Sequence, residues 1–180
     1  MEFRVLGPLE VRADCESISL GGAKQRAVLA VLLLSANEVI SVERLVDEVW
    51  GDRSPPSASH SLEAYVSRIR QLLNGYGPTL TRRGAGYCLS LGDAVLDSDT
   101  FARRLEDASD AAGEGGLARA SALAGEALAL WYGPALADVP LAAAGRAEAE
   151  RLEELRLRAF ELKFDAELAL GGHEVIVGEL

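Results

Sequence analysis

Residues 57–92 read SASHSLEAYVSRIRQLLNGYGPTLTRRGAGYCLSLG and combine the pattern of one helix with that of a two-stranded hairpin. Apolar residues recur at spacings of four, three and four, on one face of a helix: Leu62, Val66, Ile69 and Leu73. Two runs of β-forming residues follow, Thr79–Arg83 and Tyr87–Leu91, joined across a glycine-rich tip at 84–86. The segment therefore predicts a helix over 57–74 and then a hairpin with a basic tip.

Two more helices are predicted upstream of this segment. Residues 23–37 are rich in apolar side chains and contain neither glycine nor proline. Ser41 has the position and side chain of an N-cap for a second helix, which ends at Gly51. The prolines at 55–56 interrupt helical structure, because each restricts the residue before it and lacks an amide donor. Ser57 is the expected cap of the third helix.

The first residues of the chain are predicted to form strands. Phe3–Leu6, Leu9–Arg12 and Ile18–Leu20 are short β-forming runs separated by turn residues, which indicates a small antiparallel sheet. A small sheet, three helices and a C-terminal hairpin, in that order, are typical of a winged helix-turn-helix. We therefore predict an α+β winged-helix domain over residues 1–92, with a boundary near Asp93.

The second half of the chain is predicted to be all-α. Its composition moves to Ala, Leu, Glu and Arg, as expected of packed helices with solvated outer faces. Glycine and proline divide it into helices at about 99–112, 117–131 and 142–170, with a last one starting near His173. Their lengths and small residues indicate tetratricopeptide-like hairpins over residues 93–180. Trp131, and Trp50 in the first half, are expected to anchor the core.

The charge of the chain is unevenly distributed. The net charge is −10, yet residues 1–92 carry ten basic and ten acidic residues, and residues 93–180 carry eight and eighteen. Within the first half, residues 57–92 have four arginines against Glu63 alone, a net charge of +3. A basic zone that fits a nucleic-acid partner therefore exists inside an acidic protein.

The third helix and the hairpin carry the candidate DNA-contacting side chains. A recognition helix presents short or forked side chains to base edges in the major groove, and Ser61, Ala64 and Tyr65 lie on the face opposite the apolar one. Tyr65 fits either a DNA contact or core packing. Arg68 on the same face fits either a guanine or a phosphate. Arginines 82 and 83 beside the glycines suit insertion into the minor groove.

Other classes of protein fit the sequence less well. The longest apolar stretch, Ala27–Leu34, is too short to cross a bilayer, so we expect a cytoplasmic protein. Cys15 and Cys88 are expected to be reduced, with no metal site, since neither belongs to a CxxC or has paired histidines nearby. We expect neither an enzyme nor a cofactor, because the sequence has no phosphate loop, nucleophile elbow or HExxH.

Several motifs resemble one known family. The first half contains FRVLGPLEV at 3–11, LGGAKQRA at 20–27, SVERLVDEVWG at 41–51 and YVSRIR at 65–70. Together they are similar to the Streptomyces antibiotic regulatory protein (SARP) family, and TRRGAGY at 81–87 resembles the wing of OmpR-type DNA-binding domains. In the second half, residues 127–136 and 146–152 resemble the bacterial transcriptional activation domain of that family. That domain is longer in the family, which implies that residues 93–180 are only its N-terminal part.

The resemblance implies a transcription activator that binds direct repeats in double-stranded DNA near a promoter, where two copies could form a homodimer. It also implies that the activator recruits RNA polymerase holoenzyme to a biosynthetic gene cluster. By position, it assigns base and phosphate contacts to Ser61, Ala64, Tyr65, Arg68 and Gln71 of the recognition helix and to Arg83 of the wing. We add three neighbouring residues as further candidates for DNA contacts: His60, Ser67 and Arg82. The resemblance assigns a polymerase contact to the loop before the third helix: Asp52, Arg53 and Ser54. The alternative is a protein-interaction scaffold whose winged helix does not bind DNA.

Overall fold

The computed structural model describes residues 1–14, 16–51 and 54–171. The strands are β1 (Glu2–Arg4), β2 (Glu10–Ala13), β3 (Glu16–Ser17), β4 (Val39–Ser41), β5 (Thr79–Arg83), β6 (Gly86–Ser90) and β7 (Val95–Leu96). The helices are α1 (Ala23–Leu34), α2 (Val42–Trp50), α3 (Ala58–Leu73), α4 (Asp97–Gly113), α5 (Leu117–Leu128) and α6 (Ala143–Ala169). Within these ranges, none of the helices combines the length and apolar character needed to cross a membrane.

The N-terminal sheet has four strands in the order β3-β2-β1-β7. The β1–β2 and β2–β3 pairs are antiparallel as predicted, but β7 pairs with β1 in parallel, with Phe3 opposite Leu96. The predicted antiparallel pairing of the first three strands is confirmed, whereas the parallel strand β7 was not predicted. With two residues, β7 is too short to show the alternation of apolar and polar residues that indicates a strand. Main-chain hydrogen bonds hold it in the sheet, such as the one from the Val95 amide to the Met1 carbonyl.

The three-helix core forms as the apolar spacing predicts. The four apolar residues that define the inner face of α3 are all buried. The Ser41 hydroxyl accepts a hydrogen bond from the Arg44 amide at 3.1 Å, so its predicted N-cap role is confirmed. Ser57 is the N-cap residue of α3 as predicted, but its side chain makes no capping hydrogen bond. The Ala58 amide instead donates to the Pro55 carbonyl, in the turn that the prolines form.

The hairpin belongs to a second sheet with the order β4-β6-β5. The strand β4 was not predicted, since its three residues lie between two helices. Gly86 was placed in the hairpin tip and is in fact the first residue of β6, opposite Ser41. A Cβ at Gly86 would lie 2.2 Å from the Ile40 carbonyl oxygen, so only glycine allows β4 to pair here.

The helical half packs α5 against both α4 and α6. Alanines at the contacts are fully buried and let the helix backbones approach closely: Ala108, Ala120, Ala124 and Ala159. Trp131 is buried, with its ring edge-on to Phe101 at 5.4 Å between centroids, as expected of a core anchor. Trp50 is only half-buried, at the edge of the core. The helix expected from His173 lies outside the described residues.

The two halves are joined by polar contacts around the loop between β1 and β2. The Asp97 carboxylate accepts hydrogen bonds from the Val5 amide at 2.8 Å and the Leu6 amide at 3.1 Å. The Tyr132 hydroxyl donates to the Pro8 carbonyl at 2.7 Å. A Cβ on Gly7 would lie 2.5 Å from the Tyr132 ring, so the loop fits this ring only with glycine. The chain passes the predicted boundary near Asp93 without losing contact with the N-terminal sheet.

Apolar packing crosses between the halves in both directions. Leu6, from the first half, is fully buried in the cluster that contains Phe101 and Trp131. Leu136, from the second half, is buried in the cluster of the three-helix core. Through this exchange of side chains the helical half packs directly against the first half.

Candidate nucleic-acid interface

The outer face of α3 is open to solvent along its length. The inner face packs on α1, α2 and β5, and this packing sets the direction of the outer one. Five of the candidate contact residues are exposed: His60, Ala64, Ser67, Arg68 and Gln71. Ser61 and Tyr65 are half-buried. The exposed set consists of short or hydrogen-bonding side chains and one guanidinium, and Glu63 is the one carboxylate on this helix.

Tyr65 is part of an aromatic contact beneath this face. Its ring stacks on Trp50 with 6.3 Å between centroids and 30° between planes. The Lys24 ammonium, which belongs to α1, lies 5.6 Å from the centroid of the Trp50 ring. Of the two interpretations that the sequence left open for Tyr65, this geometry favours packing. Its ring also lies 5.9 Å from the Arg68 guanidinium carbon, so it supports an exposed cation.

Arg70 has a role that the sequence did not reveal. Its Nε donates to the Leu80 carbonyl at 2.7 Å, and its guanidinium lies 5.7 Å from the buried Tyr87 ring. These contacts hold the C-terminal part of α3 against β5. In the sequence, Arg70 is one more member of a basic zone, because the partner carbonyl lies ten residues away on an element whose docking no local pattern specifies.

The wing presents its two arginines differently. The Arg82 guanidinium lies 5.9 Å from the Tyr87 ring, which orients it along the hairpin. Arg83 is the last residue of β5, is opposite Gly86, and is exposed. Among the residues that the structure describes, the Arg83 side chain has no hydrogen-bond or ion-pair partner. It is thus available to an external anion at the most protruding part of the wing, where Gly84 turns the chain with φ of 55°.

The loop before α3 is described only in part. Ser54 is exposed, whereas the predicted contact residues Asp52 and Arg53 lie outside the described residues.

An exposed polar helix on a three-helix core, next to a hairpin with an exposed arginine, is the arrangement of a winged helix-turn-helix that reads DNA. The fold is therefore that of the DNA-binding domain of winged-helix transcription regulators. Residues 16–89 match the family described as "Transcriptional regulatory protein, C terminal", and residues 96–180 match "Bacterial transcriptional activator domain". The chain belongs to the SARP family of transcription regulators.

The relatives differ in how much of their length this chain matches. It is 34% identical over its whole length to the regulatory protein DnrI of Streptomyces peucetius, covering 70% of it. It is also 34% identical over its whole length to AfsR of Streptomyces griseus and to EmbR of Mycobacterium tuberculosis, covering 18% and 47% of them. The chain thus spans about a fifth of AfsR and about half of EmbR.

A solved structure shows the same fold. It is that of Mycobacterium tuberculosis EmbR in complex with a low affinity phosphopeptide, with a TM-score of 0.92 and 33% sequence identity. The superposition covers 99% of this chain and 48% of EmbR. The α+β winged helix followed by a tetratricopeptide-like helical half is thereby confirmed.

Proposed function

We propose that this chain binds specific DNA through α3 and the wing and activates transcription from a nearby promoter. The observation that carries the proposal is the exposed face of α3 beside Arg83, a cation without a partner among the described residues, in a protein whose acidic residues lie mainly elsewhere. A surface of this kind supplies both base-reading side chains and the positive charge that phosphates attract.

In the proposed complex, α3 lies in the major groove. Its forked or amide side chains, Arg68 and Gln71, can donate to base edges or phosphates, and Ser61 and Ser67 add short hydroxyl contacts. Ala64 lets the helix approach closely. Tyr65 acts mainly from beneath, since it packs on Trp50.

The wing lies along the adjacent minor groove. Arg83 is the residue that enters it, because its side chain is exposed and extends from the end of β5. Arg82 stays closer to the hairpin, over Tyr87, and is positioned for a phosphate. Arg70 fixes the angle between the wing and α3 through its bond to Leu80.

The activation step is proposed from the family. Two copies of the chain, located in the cytoplasm, bind direct repeats. They recruit RNA polymerase holoenzyme through the loop 52–54 and thereby activate transcription of a biosynthetic gene cluster. The buried contacts between the two halves support this mechanism, because they position the acidic domain relative to the DNA. The function needs neither catalysis nor a cofactor.

A footprint on the DNA upstream of the neighbouring genes tests the proposal. Two protected segments whose centres are about 10–11 base pairs apart, or a multiple of that, are expected from copies on one face of the duplex. Protection should weaken as salt rises, because released counterions drive much of the affinity. The scaffold alternative predicts no protected segment at any salt concentration, and this result would overturn the proposal.

A further inference from the structure

One face of the helical half is an open groove between α4 and α6. Because α5 packs behind both helices and α4 and α6 contact each other much less, a cleft of about 530 Å³ remains in front. Its floor is apolar and consists of three half-buried leucines: Leu105, Leu155 and Leu162. The small residues Ala102 and Ser109 leave room beside them. The groove is thus deep enough to accept apolar side chains of a second molecule.

The rim of the groove is acidic. Two exposed carboxylates come from each helix, Glu106 and Asp110 from α4 and Glu161 and Asp165 from α6. Within the described part of the chain, none of these four carboxylates forms an ion pair or a side-chain hydrogen bond. Arg158 is the one cation that lines the groove.

Other carboxylates of α6, outside the rim of the groove, form ion pairs with arginines of the same helix. Glu153 pairs with Arg156 at 3.5 Å, and Glu148 pairs with Arg151 at 2.7 Å. The four carboxylates along the groove are therefore balanced only in part, by Arg158, and a cationic partner would neutralise the excess negative charge.

We propose that this groove binds a basic amphipathic helix of a partner protein, with its apolar face on the leucines and its lysines or arginines against the four carboxylates. The lining residues on α4 recur three and four residues apart, so they form one helix face, which suits a helix that docks lengthwise. Nucleic acid does not fit, because its phosphates would meet the carboxylates. This surface is separate from the α3 and wing surface, and its partner binds while DNA is bound.

A peptide titration tests the chemistry of the groove. The probe is a fluorescein-labelled helical peptide of leucine and lysine, with leucines at i, i+3, i+4 and i+7, added to the 180-residue chain and followed by anisotropy. Its Kd is expected to be at least tenfold lower than those of two matched peptides, one with serine for leucine and one with glutamate for lysine. If the serine–lysine peptide binds equally well, general charge attraction is sufficient and the proposal fails.

Three double variants test the location. Glu106→Lys/Glu161→Lys should weaken peptide binding at least tenfold, and the near-isosteric Glu106→Gln/Glu161→Gln should weaken it by a smaller factor. Asp107→Lys/Glu114→Lys changes the net charge equally outside the groove and should alter the Kd less than twofold. Circular dichroism and retained DNA binding check the fold. If both lysine variants weaken peptide binding equally, the proposed location is wrong. If the chain forms a dimer that only Glu106→Lys/Glu161→Lys abolishes, the groove binds a second copy of the chain and not a partner protein.

Discussion

The Glu48 carboxylate of α2 accepts a hydrogen bond from the Gly145 amide in the first turn of α6, at 2.9 Å. The Glu48 carbonyl also accepts a bond from the Ala142 amide at 3.1 Å. A residue of the DNA-binding half therefore caps the longest helix of the helical half, where exposed amides and the helix dipole favour a carboxylate. This buried contact lies on the helix that also carries Trp50, the residue on which Tyr65 stacks.

Removal of the Glu48 side chain should loosen the two halves. We expect Glu48→Ala to lower the free energy of unfolding by about 1–3 kcal/mol, because a buried amide at the start of α6 loses its acceptor. The neighbouring Asp47→Ala, at an exposed position of the same helix, should change it by less than about 0.5 kcal/mol. Urea denaturation followed by circular dichroism measures both, and equal effects would contradict the capping role.

Gly7 is predicted to be intolerant of any side chain. Gly7→Ala places a methyl group against the Tyr132 ring and should destabilise the chain by about 1–3 kcal/mol. Gly125 offers the matched control, since nothing lies within 4 Å of a Cβ there and it is inside α5. Gly125→Ala should stabilise the chain by about 0.5–1 kcal/mol. Thermal unfolding curves that shift in the same direction for both variants would refute the tight fit at Gly7.

Asp97 should make the stability depend on pH in an unusual direction. Burial raises the pKa of this carboxyl to about 6 from 3.8, although the Val5, Leu6 and Ser98 amides partly offset the effect. Because the folded state binds the proton more tightly, this contribution to stability is complete below about pH 3.8 and is lost as the pH rises through about 6.

The Asp97→Asn variant isolates that contribution. When the pH is lowered from 7 to 5, the original chain should become more stable relative to Asp97→Asn by about 1 kcal/mol in unfolding free energy. The other carboxylates titrate alike in both proteins and cancel. Denaturation at the two pH values gives the difference, and a constant value would show that burial does not raise this pKa.

The wing is predicted to contribute to DNA binding mainly through Arg83. Arg83→Ala should weaken binding to a footprinted site by about 1–3 kcal/mol, the scale of one good arginine contact. Arg119→Ala removes the same charge from an exposed position of α5 and should leave the affinity unchanged at matched salt. Fluorescence titration gives the two affinities, and an unaltered Kd for Arg83→Ala would remove the wing from the interface.

The sequence is sufficient to predict the elements whose residues form long periodic patterns. The inner face of α3 follows from Leu62 to Leu73, and the hairpin follows from β-forming runs around glycines. The strands β4 and β7 have two or three residues, and their existence depends on main-chain partners far along the chain. No local pattern carries that information.

The same distinction applies to individual side chains. Ser61, Ala64, Arg68 and Arg83 were assigned from spacing and resemblance, and their assignment to DNA stays a prediction. Glu48 and Asp97 were not singled out, because a buried carboxylate has the same appearance in a sequence as a solvated one. Their amide partners belong to the opposite half of the chain, 97 residues away for Glu48 and 92 for Asp97. Only the docked arrangement of the two halves reveals them.

The most direct test of the central claim is a salt-matched titration of footprinted DNA with the Arg68→Ala/Arg83→Ala variant. The control is Arg103→Ala/Arg119→Ala, which removes two cations from the helical half and gives the same net charge. Each arginine is expected to contribute about 1–3 kcal/mol. If α3 and the wing bind DNA, the first variant should therefore lose about 2–6 kcal/mol of binding free energy, and the control should bind as tightly as the original chain. Equal affinities for the two variants would contradict the account, because binding would then depend on overall charge and not on this surface.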